Sequence, residues 1–473
     1  TRLIRSDRGM RHVRIPALAL LIAVAGTGLA RSDDARAFAQ AKKSAASAKK
    51  TGAKKPVAKA PADQTAEAPK ATPATRAIAV QIREQIGGKT KRFYASRGFW
   101  PIWASTGRIG PEADAFIDML ESADLDGLRP RSYDPDRVRE AVRAARGGDP
   151  AAVARAEIAL SEAMADYVAD VRRPTDVGMT YLDEEVKPRK LKAENVLRAA
   201  VLTKSFASYI RDMGWMSPQY VRLRKLAAGP GLSAEDRARL QLNLDRARLL
   251  PGPWTRHIVV DAAAAQLFFY QNGKQVGTMR VVAGTPQTPT PMLAGMVRYA
   301  ILNPYWNVPT DLVRKNIAPK VLAGRSLSSM RFEALSDWST DAAKLDPKAI
   351  DWQAVAAGQQ EVRVRELPGP GNSMGRVKFM FPNDLGIYLH DTNNKALLKK
   401  PDRHFSNGCV RLEDASTLGK WLLGKPITAI ARKPEQGVPL PEAVPVYLTY
   451  FTATPTSNGV SFLKDVYGRD RGA

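Results

Sequence analysis

An α+β chain is what this sequence predicts: an all-α first part, then a mostly-β part that carries a helical insertion. Three observations carry that reading. Through residues 79–250 apolar residues recur at three- and four-residue spacing, and from about Arg256 they give way to β-rich runs broken by turn signals. A tract almost free of aromatic and branched residues sets both parts off from an apolar N-terminal run. The chain has 473 residues, too many for one ordinary domain and enough for two or three with sizeable cores.

Taking the elements in order, "RGMRHVR" is a basic opening and "IPALALLIAVAGTGLA", Ile15 to Ala30, is an apolar run of sixteen residues. Met10 reads as the start. Small-residue patterns follow at Gly28-Leu29-Ala30 and Ala37-Phe38-Ala39, so residues 1–39 read as an export signal, either cleaved or kept as an anchor. Sixteen residues are short for a bilayer span, which favours cleavage. On both readings the rest of the chain is exported. Residues 40–78 are mostly Ala, Lys, Pro, Ser and Thr, with Val57 the one branched aliphatic between Gln40 and Thr75; they read as a disordered tether.

Residues 79–250 read as a helical scaffold. "PEADAFIDMLESADLDGL" sets Ala113, Phe116, Ile117 and Leu120 on one helix face, with Pro111 near the first turn. Two glycines close "DPDRVREAVRAARGG". Asp149 caps the helix that opens at Pro150, and Ser233 with Asp236 forms a capping pair for "SAEDRARLQLNLDRARLL". No catalytic constellation stands out in this part.

Residues 256–473 read as one β-rich domain. "RHIVVDAAAAQLFFYQNGKQVGTMRVVAGTP" is two apolar runs about an Asn272-Gly273 hairpin turn, and "MVRYAILNPYWNVP" is a strand ended by Pro309. Residues 310–374 interrupt the strands with helical material and the glycine-rich "ELPGPGNSMG", an insertion folded over the sheet. Strands resume at "RVKFMF" and "GIYLH". A helix runs from about Ala415 to Leu423, and a final β region turns at Ser457-Asn458-Gly459.

The formal charge of +25 invites a nucleic-acid reading, but residues 1–80 hold 16 Lys/Arg against 5 Asp/Glu, so 11 of the 25 surplus charges are local. No zinc-finger spacing and no nucleic-acid motif accompany them. An anionic polymer or membrane surface fits that charge as well, and no nucleic-acid partner is expected. A single cysteine excludes an intramolecular disulfide and suits an exported protein that keeps one working thiol.

That thiol, Cys409, lies within twenty residues of two of the four histidines, His390 and His404. Cys409 follows Gly408 in "SNGCVRL", after a polar loop and directly before an apolar helix start. His390 ends the apolar strand "GIYLH", a rigid position from which an imidazole can be aimed. A free thiol is only a few per cent thiolate at neutral pH, so a neighbouring histidine is a natural activator. Gly408 allows close backbone approach, and the Gly408 and Cys409 amides suit an oxyanion. The competing reading of a lone cysteine is a small buried hydrophobe. Flanking by Asn407, Gly408 and Arg411 weighs against it.

In this region the chain resembles the L,D-transpeptidases, whose signature is a His, a spacer of about fourteen to seventeen residues, then Ser/Thr-His-Gly-Cys. Here fifteen residues, Asp391 to Phe405, separate His390 from Ser406, and "SNGC" ends in Cys409. Asn407 departs from the usual His. A large periplasmic branch tolerates Ser there, which implies that this position is not the general base. "NPYWNVP", "PGPGNSMGRVKFMFPN", "IYLHDT", "GCVRL" and "TYFTATPTSNGVSFLKDVYG" are similar to that branch, which carries a helical scaffold domain and a lid inserted in the catalytic domain. A second departure is the peptidoglycan-binding domain usual in the branch: "SPQYVRLRKLAAG" runs almost directly into "SAEDRARLQLNL".

The resemblance implies a periplasmic enzyme, free or anchored to the inner membrane, that uses no metal or cofactor. Cys409 is its nucleophile and His390 the base, with Gly408 the third catalytic position. Tyr388 and the Gly408 and Cys409 amides line the oxyanion site. Ser406 and Asn407 shape the substrate loop, and Arg411 meets a substrate carboxylate. Asp391 either orients His390 or caps the loop; His404 is a loop residue and His257 structural. Trp306, Arg365 and Asn372 are candidates for glycan or stem-peptide contact. The implied reaction is 3→3 cross-linking of peptidoglycan stem peptides through a thioester, with release of D-alanine. On the same fold, water or an envelope protein could replace the acceptor stem.

Overall fold

A computed structural model describes residues 71–339, 341–456 and 459–470. The expectations for the export signal, for most of the tether and for the Ser457-Asn458 turn lie outside the described residues. Among the described residues no helix is long and apolar enough to cross a membrane.

The helices begin inside the stretch assigned to the tether. Thr72 Oγ1 accepts from the Thr75 amide (3.2 Å) and Thr75 Oγ1 from the Thr72 amide (3.0 Å), a reciprocal cap that starts the helix Pro73–Gln85. The helix Glu112–Glu121 buries Ala113, Phe116, Ile117 and Leu120 as its spacing demands. Asp149 accepts the Ala152 amide at 2.9 Å to open the 22-residue helix Pro150–Val171, the axis of the scaffold. Midway along it, the buried Glu157 carboxylate accepts the Ile102, Trp103 and Ala104 amides and the Tyr94 hydroxyl, fixing the turn that packs on that helix. Ser233 caps Ala234–Arg248, which follows the helix Pro218–Ala227 after one short loop.

The scaffold is not wholly helical. Its strand β1 (Thr180–Tyr181) pairs in parallel with the β-rich half. Two residues at the edge of a sheet carry no readable period. The remaining strands are β2 (His257–Asp261), β3 (Gln266–Gln271), β4 (Lys274–Gly284), β5 (Leu293–Leu302), β6 (Trp306–Val308), β7 (Phe332–Leu335), β8 (Lys344–Leu345), β9 (Arg363–Glu366), β10 (Val377–Met380), β11 (Leu389–His390), β12 (His404–Ser406), β13 (Val410–Leu412), β14 (Gln436–Thr449), β15 (Ala453–Thr456) and β16 (Gly459–Phe462).

The β3–β4 hairpin turns at Asn272 (φ 53°) and Gly273 (φ 78°), both left-handed as a two-residue turn of this kind requires. A second hairpin splits what reads in the sequence as one run. Asp261 Oδ1 accepts the Ala263 and Ala264 amides (3.1 and 3.4 Å), and Ala265 takes φ 49°, so β2 folds back on β3 through four alanines.

The strands close on themselves in the cyclic order β5-β10-β11-β13-β4-β3-β2-β14, with β14 returning to β5. Inside the ring lie Ile258, Val260, Leu267, Val281, Leu293, Val297, Phe379, Leu389, Val410 and Leu448, joined by Leu418 and Leu422 of the helix Ala415–Leu423. The outer face of β2, β5 and β14 presents Val259, Ala294, Met296 and Tyr447 to the core of the scaffold. Burial on both faces explains why every residue of β2 is buried.

The insertion is not helical throughout, and it starts before residue 310. It has its own four-stranded sheet, β6-β9-β7-β8, and its own core of Val308, Val313, Leu327, Trp352, Val355 and Val364. β6, which reads in the sequence as the end of the β5 run, belongs to it. The lid helix 310–322 contains a π-turn at Val313–Ile317, just ahead of Pro319, whose missing N–H cannot serve an α-helical ladder. The two stalks meet where the Asn303 amide donates to the Arg376 carbonyl at 2.9 Å.

Candidate active site

β11 and β13 run parallel, with Leu389 opposite Val410 and His390 opposite Arg411. Alternation sends Leu389, Val410 and Leu412 into the ring and leaves Tyr388, His390 and Arg411 on the other face. Cys409 sits at the junction of loop and strand. It precedes β13, not a helix as the sequence suggested; the helix waits until Ala415. His390 and Cys409 are thus two residues apart in register on neighbouring strands, roughly 7 Å along the ladder and 5 Å across it.

The loop ahead of the thiol is built on Ser406. Its Oγ donates to the Cys409 carbonyl (2.5 Å) and accepts the Gly408 amide (3.2 Å). The Gly408 amide, expected at an oxyanion, is therefore already engaged. Gly408 takes φ 105°, and a Cβ there would come to 3.0 Å from Ile387 Cδ1, so a glycine is required twice over. Asn407 is exposed at the tip.

A second loop, "GTPQTPTP" at 284–291, cradles this one. The Thr285 amide (2.9 Å) and the Thr288 hydroxyl (3.1 Å) donate to the Ser406 carbonyl, and the Thr290 hydroxyl donates to the Gly408 carbonyl at 2.8 Å. These threonines escape the sequence reading. Their only signal is Thr alternating with Pro between two strands.

Cys409 is half-buried, and its Sγ donates to the Gly386 carbonyl at 3.4 Å. His390 is 1% exposed. Its Nδ1 lies 2.5 Å from the Asp391 carbonyl, which can only accept, so Nδ1 carries the proton and Nε2 keeps its lone pair. Burial, then the Arg411 guanidinium, holds His390 down to about 3. The ring is neutral, with Nε2 as its acceptor. The Tyr388 ring lies 5.6 Å from it, centroid to centroid. Burial lowers the Arg411 guanidinium, against the opposing pull of Cys409 and Tyr388, and its buried Nε has no hydrogen-bond partner among the described residues. An unpaired donor beside a thiol suits a thiolate or a carboxylate.

Asp391 orients His390 through its backbone carbonyl. Its carboxylate turns away, to the Arg376 amide (2.9 Å) and to Lys395. His404 stands apart, its ring nitrogens facing Asp402 Oδ1 (2.6 Å) and the Ala262 carbonyl (2.9 Å). His257 stacks on Tyr270 at 4.7 Å. Of the lid candidates, Asn372 is fully buried and spends its amide on the Glu366 and Leu367 carbonyls and the Met374 amide. It cannot contact a glycan. Arg365 lies 4.0 Å over the Tyr305 ring and pairs with Glu333, and Trp306 packs on the lid core. Among the described residues no three His, Cys, Asp or Glu side chains are grouped as a metal site needs.

His257 yields a pH prediction. Burial holds it down to about 4 from an ordinary 6.5, so between those values the unfolded chain binds a proton that the folded chain does not. Its contribution to stability is intact above about 6.5 and is lost as pH falls toward 4. In urea titrations between about pH 6 and pH 4.5, His257→Phe should flatten the dependence of unfolding free energy on pH by up to about 1.4 kcal/mol per pH unit, one proton's worth. An unchanged slope would contradict the burial of a neutral ring.

A half-buried thiol on a glycine turn, with a neutral imidazole on the adjoining strand, is an arrangement that cysteine acyl transfer requires. Residues 255–439 match the L,D-transpeptidase catalytic domain (YkuD), and residues 88–226 match a scaffold domain. The chain therefore carries an L,D-transpeptidase catalytic domain behind a helical scaffold domain. It is 30% identical over 240 residues to a Haemophilus influenzae protein whose name assigns it provisionally to the L,D-transpeptidases; the match covers 49% of this chain and 48% of the relative. The chain thus spans about half the length of that relative. Among solved structures it is distantly similar to an L,D-transpeptidase from Mycobacterium smegmatis (13% identity, 41% of this chain and 58% of that one, TM-score 0.20). Another is an L,D-transpeptidase in complex with imipenem (13% identity, 41% and 58%, TM-score 0.21).

Proposed function

We propose that this chain forms 3→3 peptidoglycan cross-links through a thioester on Cys409. The observation that carries the reading is the neutral His390 with Nδ1 tied to a carbonyl, which leaves Nε2 to take the Cys409 proton. The thiolate then attacks the carbonyl carbon of the third residue of a tetrapeptide stem, which is bonded to the D-alanine nitrogen. As the C–N bond breaks, the imidazolium returns its proton to the departing amine of D-alanine, leaving a thioester. An acceptor amine attacks the thioester, His390 removes its proton, and the Cys409 sulfur leaves and is reprotonated. The Arg411 Nε supports the thiolate or a stem carboxylate. The Cys409 amide and the Tyr388 hydroxyl face the oxyanion, and the Gly408 amide joins them only if Ser406 Oγ releases it.

The reaction belongs in the envelope, as the basic and apolar N-terminal sequence suggests. An envelope protein as acceptor, or water, would turn the same thioester to wall attachment or hydrolysis. Incubating the purified protein with disaccharide-tetrapeptide tests this: cross-linked dimer supports transpeptidation, tripeptide alone supports hydrolysis, and neither product refutes the reading. Imipenem is expected to acylate Cys409, adding its mass to the intact chain.

The lid bears on the choice of acceptor. Its separate core and pinched stalks allow excision, and a cover over the site would exclude water in favour of an amine. Replacing residues 305–374 with a short glycine linker should leave imipenem capture intact and shift products from dimer toward tripeptide. A folded variant with an unchanged dimer-to-tripeptide ratio would remove the lid from the mechanism.

A further inference from the structure

Backbone hydrogen bonds join β11 to β13, but beyond His390 the chain leaves the ladder, and a side chain takes over. Lys395 Nζ reaches three acceptors: Asp391 Oδ1 (2.8 Å), the Leu412 carbonyl (3.0 Å) and the Glu413 carbonyl (2.8 Å). Those are the three donors an ammonium owns. One acceptor belongs to the residue whose own carbonyl holds His390 Nδ1; the other two end the strand that begins after Cys409. The second oxygen of Asp391 accepts the Arg376 amide, at the foot of the lid. Gly375 leaves room for that carboxylate, since a Cβ there would come to 2.4 Å from Asp391 Oδ2. The loop that follows the base, the strand that follows the nucleophile and the lid stalk therefore converge on one ion pair.

We propose that Lys395 is a positioning residue. By clamping Asp391 to the end of β13, it fixes the carbonyl that orients His390 and so aims Nε2 at the Cys409 thiol. The three acceptors of its ammonium include no atom of Cys409 or of the His390 ring, so it acts through Asp391. Its long stem delivers three donors to one point, which no neutral side chain does, and its charge keeps the Asp391 carboxylate from turning back toward the ring. The inference rests on the reading of Cys409 as nucleophile and His390 as its base.

The test is alkylation of Cys409 by iodoacetamide in the full chain, followed across pH, alongside cross-linking kinetics. Lys395→Met should slow alkylation at neutral pH on the order of tenfold and move the midpoint of its pH profile, because a misaimed base no longer assists ionisation. In cross-linking, kcat should fall with KM nearly unchanged. Lys395→Arg should recover most of both rates, since a guanidinium also offers several donors. The Lys395→Met, Asp391→Asn double variant should be no slower than the slower single variant, as expected of two residues acting through one contact. A purely structural role would lower the active fraction without moving the pH midpoint. That result, or wild-type alkylation in Lys395→Met, or additive losses in the double variant, overturns the proposal. If Lys395→Met loses its cooperative urea transition, Lys395→Gln is read by the same criteria. Alkylation needs no peptidoglycan, so a chain that makes no cross-link still reports on Lys395, and a failure of either reading is distinguishable from a failure of the other.

Discussion

Cys409→Ala abolishes turnover on tetrapeptide and removes all covalent capture of imipenem, while the fold survives. The chain has no second thiol to substitute. The Sγ contact to the Gly386 carbonyl is long, at 3.4 Å, and the pairing of β13 with β11 and β4 is made by backbone. Loss of one half-buried sulfur should lower stability by about 1 kcal/mol or less. Cross-linking assays and intact-mass measurement after imipenem exposure check this. More than a few per cent residual cross-linking, or a mass increment on the variant, would mean that the nucleophile is not Cys409.

His390→Ala lowers the rate by a factor on the order of 10²–10⁴, the usual contribution of a positioned base. The loss should fall on kcat, because the imidazole is buried and offers little surface to a bound stem. His404→Ala is the matched control. It leaves the rate within a few-fold but lowers stability by about 1–3 kcal/mol, since the buried Ala262 carbonyl loses its donor. Initial rates and urea midpoints on both variants separate the roles. If the rate loss follows His404 instead, the base has been misassigned.

The parts of this site legible in the sequence are those written in local chemistry. A glycine before the one cysteine, a histidine closing an apolar run and an Asn-Gly pair between strands each act over a few residues, and each has the geometry its residue type demands. The rest depends on which atoms of distant segments meet. Asp391 was visible as a neighbour of His390, yet spacing cannot say that its carbonyl holds the ring while its carboxylate serves the lid stalk. Thr285, Thr288 and Thr290 lie more than a hundred residues before the loop they support. The alanine turn after Asp261 lacks Gly, Pro or Asn, and its only cue was an aspartate that accepts two amides. The lid strands are two to four residues long, too short for a period, so the helices between them dominate the pattern.

β1 carries a consequence for the molecule as a whole. The N-terminal half of β5 pairs with β14 on one side, and β10 reaches only its C-terminal half. On the open side Thr180 and Tyr181 pair with Leu293 and Ala294, and the Asp183 carboxylate takes the Met296 amide and Arg298. A fragment beginning at the catalytic domain would leave that row of backbone donors and acceptors bare, flanked by apolar side chains built to face helices. Such an edge invites strand exchange between chains. The scaffold thus covers an edge that the domain it carries would otherwise expose, and the two are expected to melt as one unit.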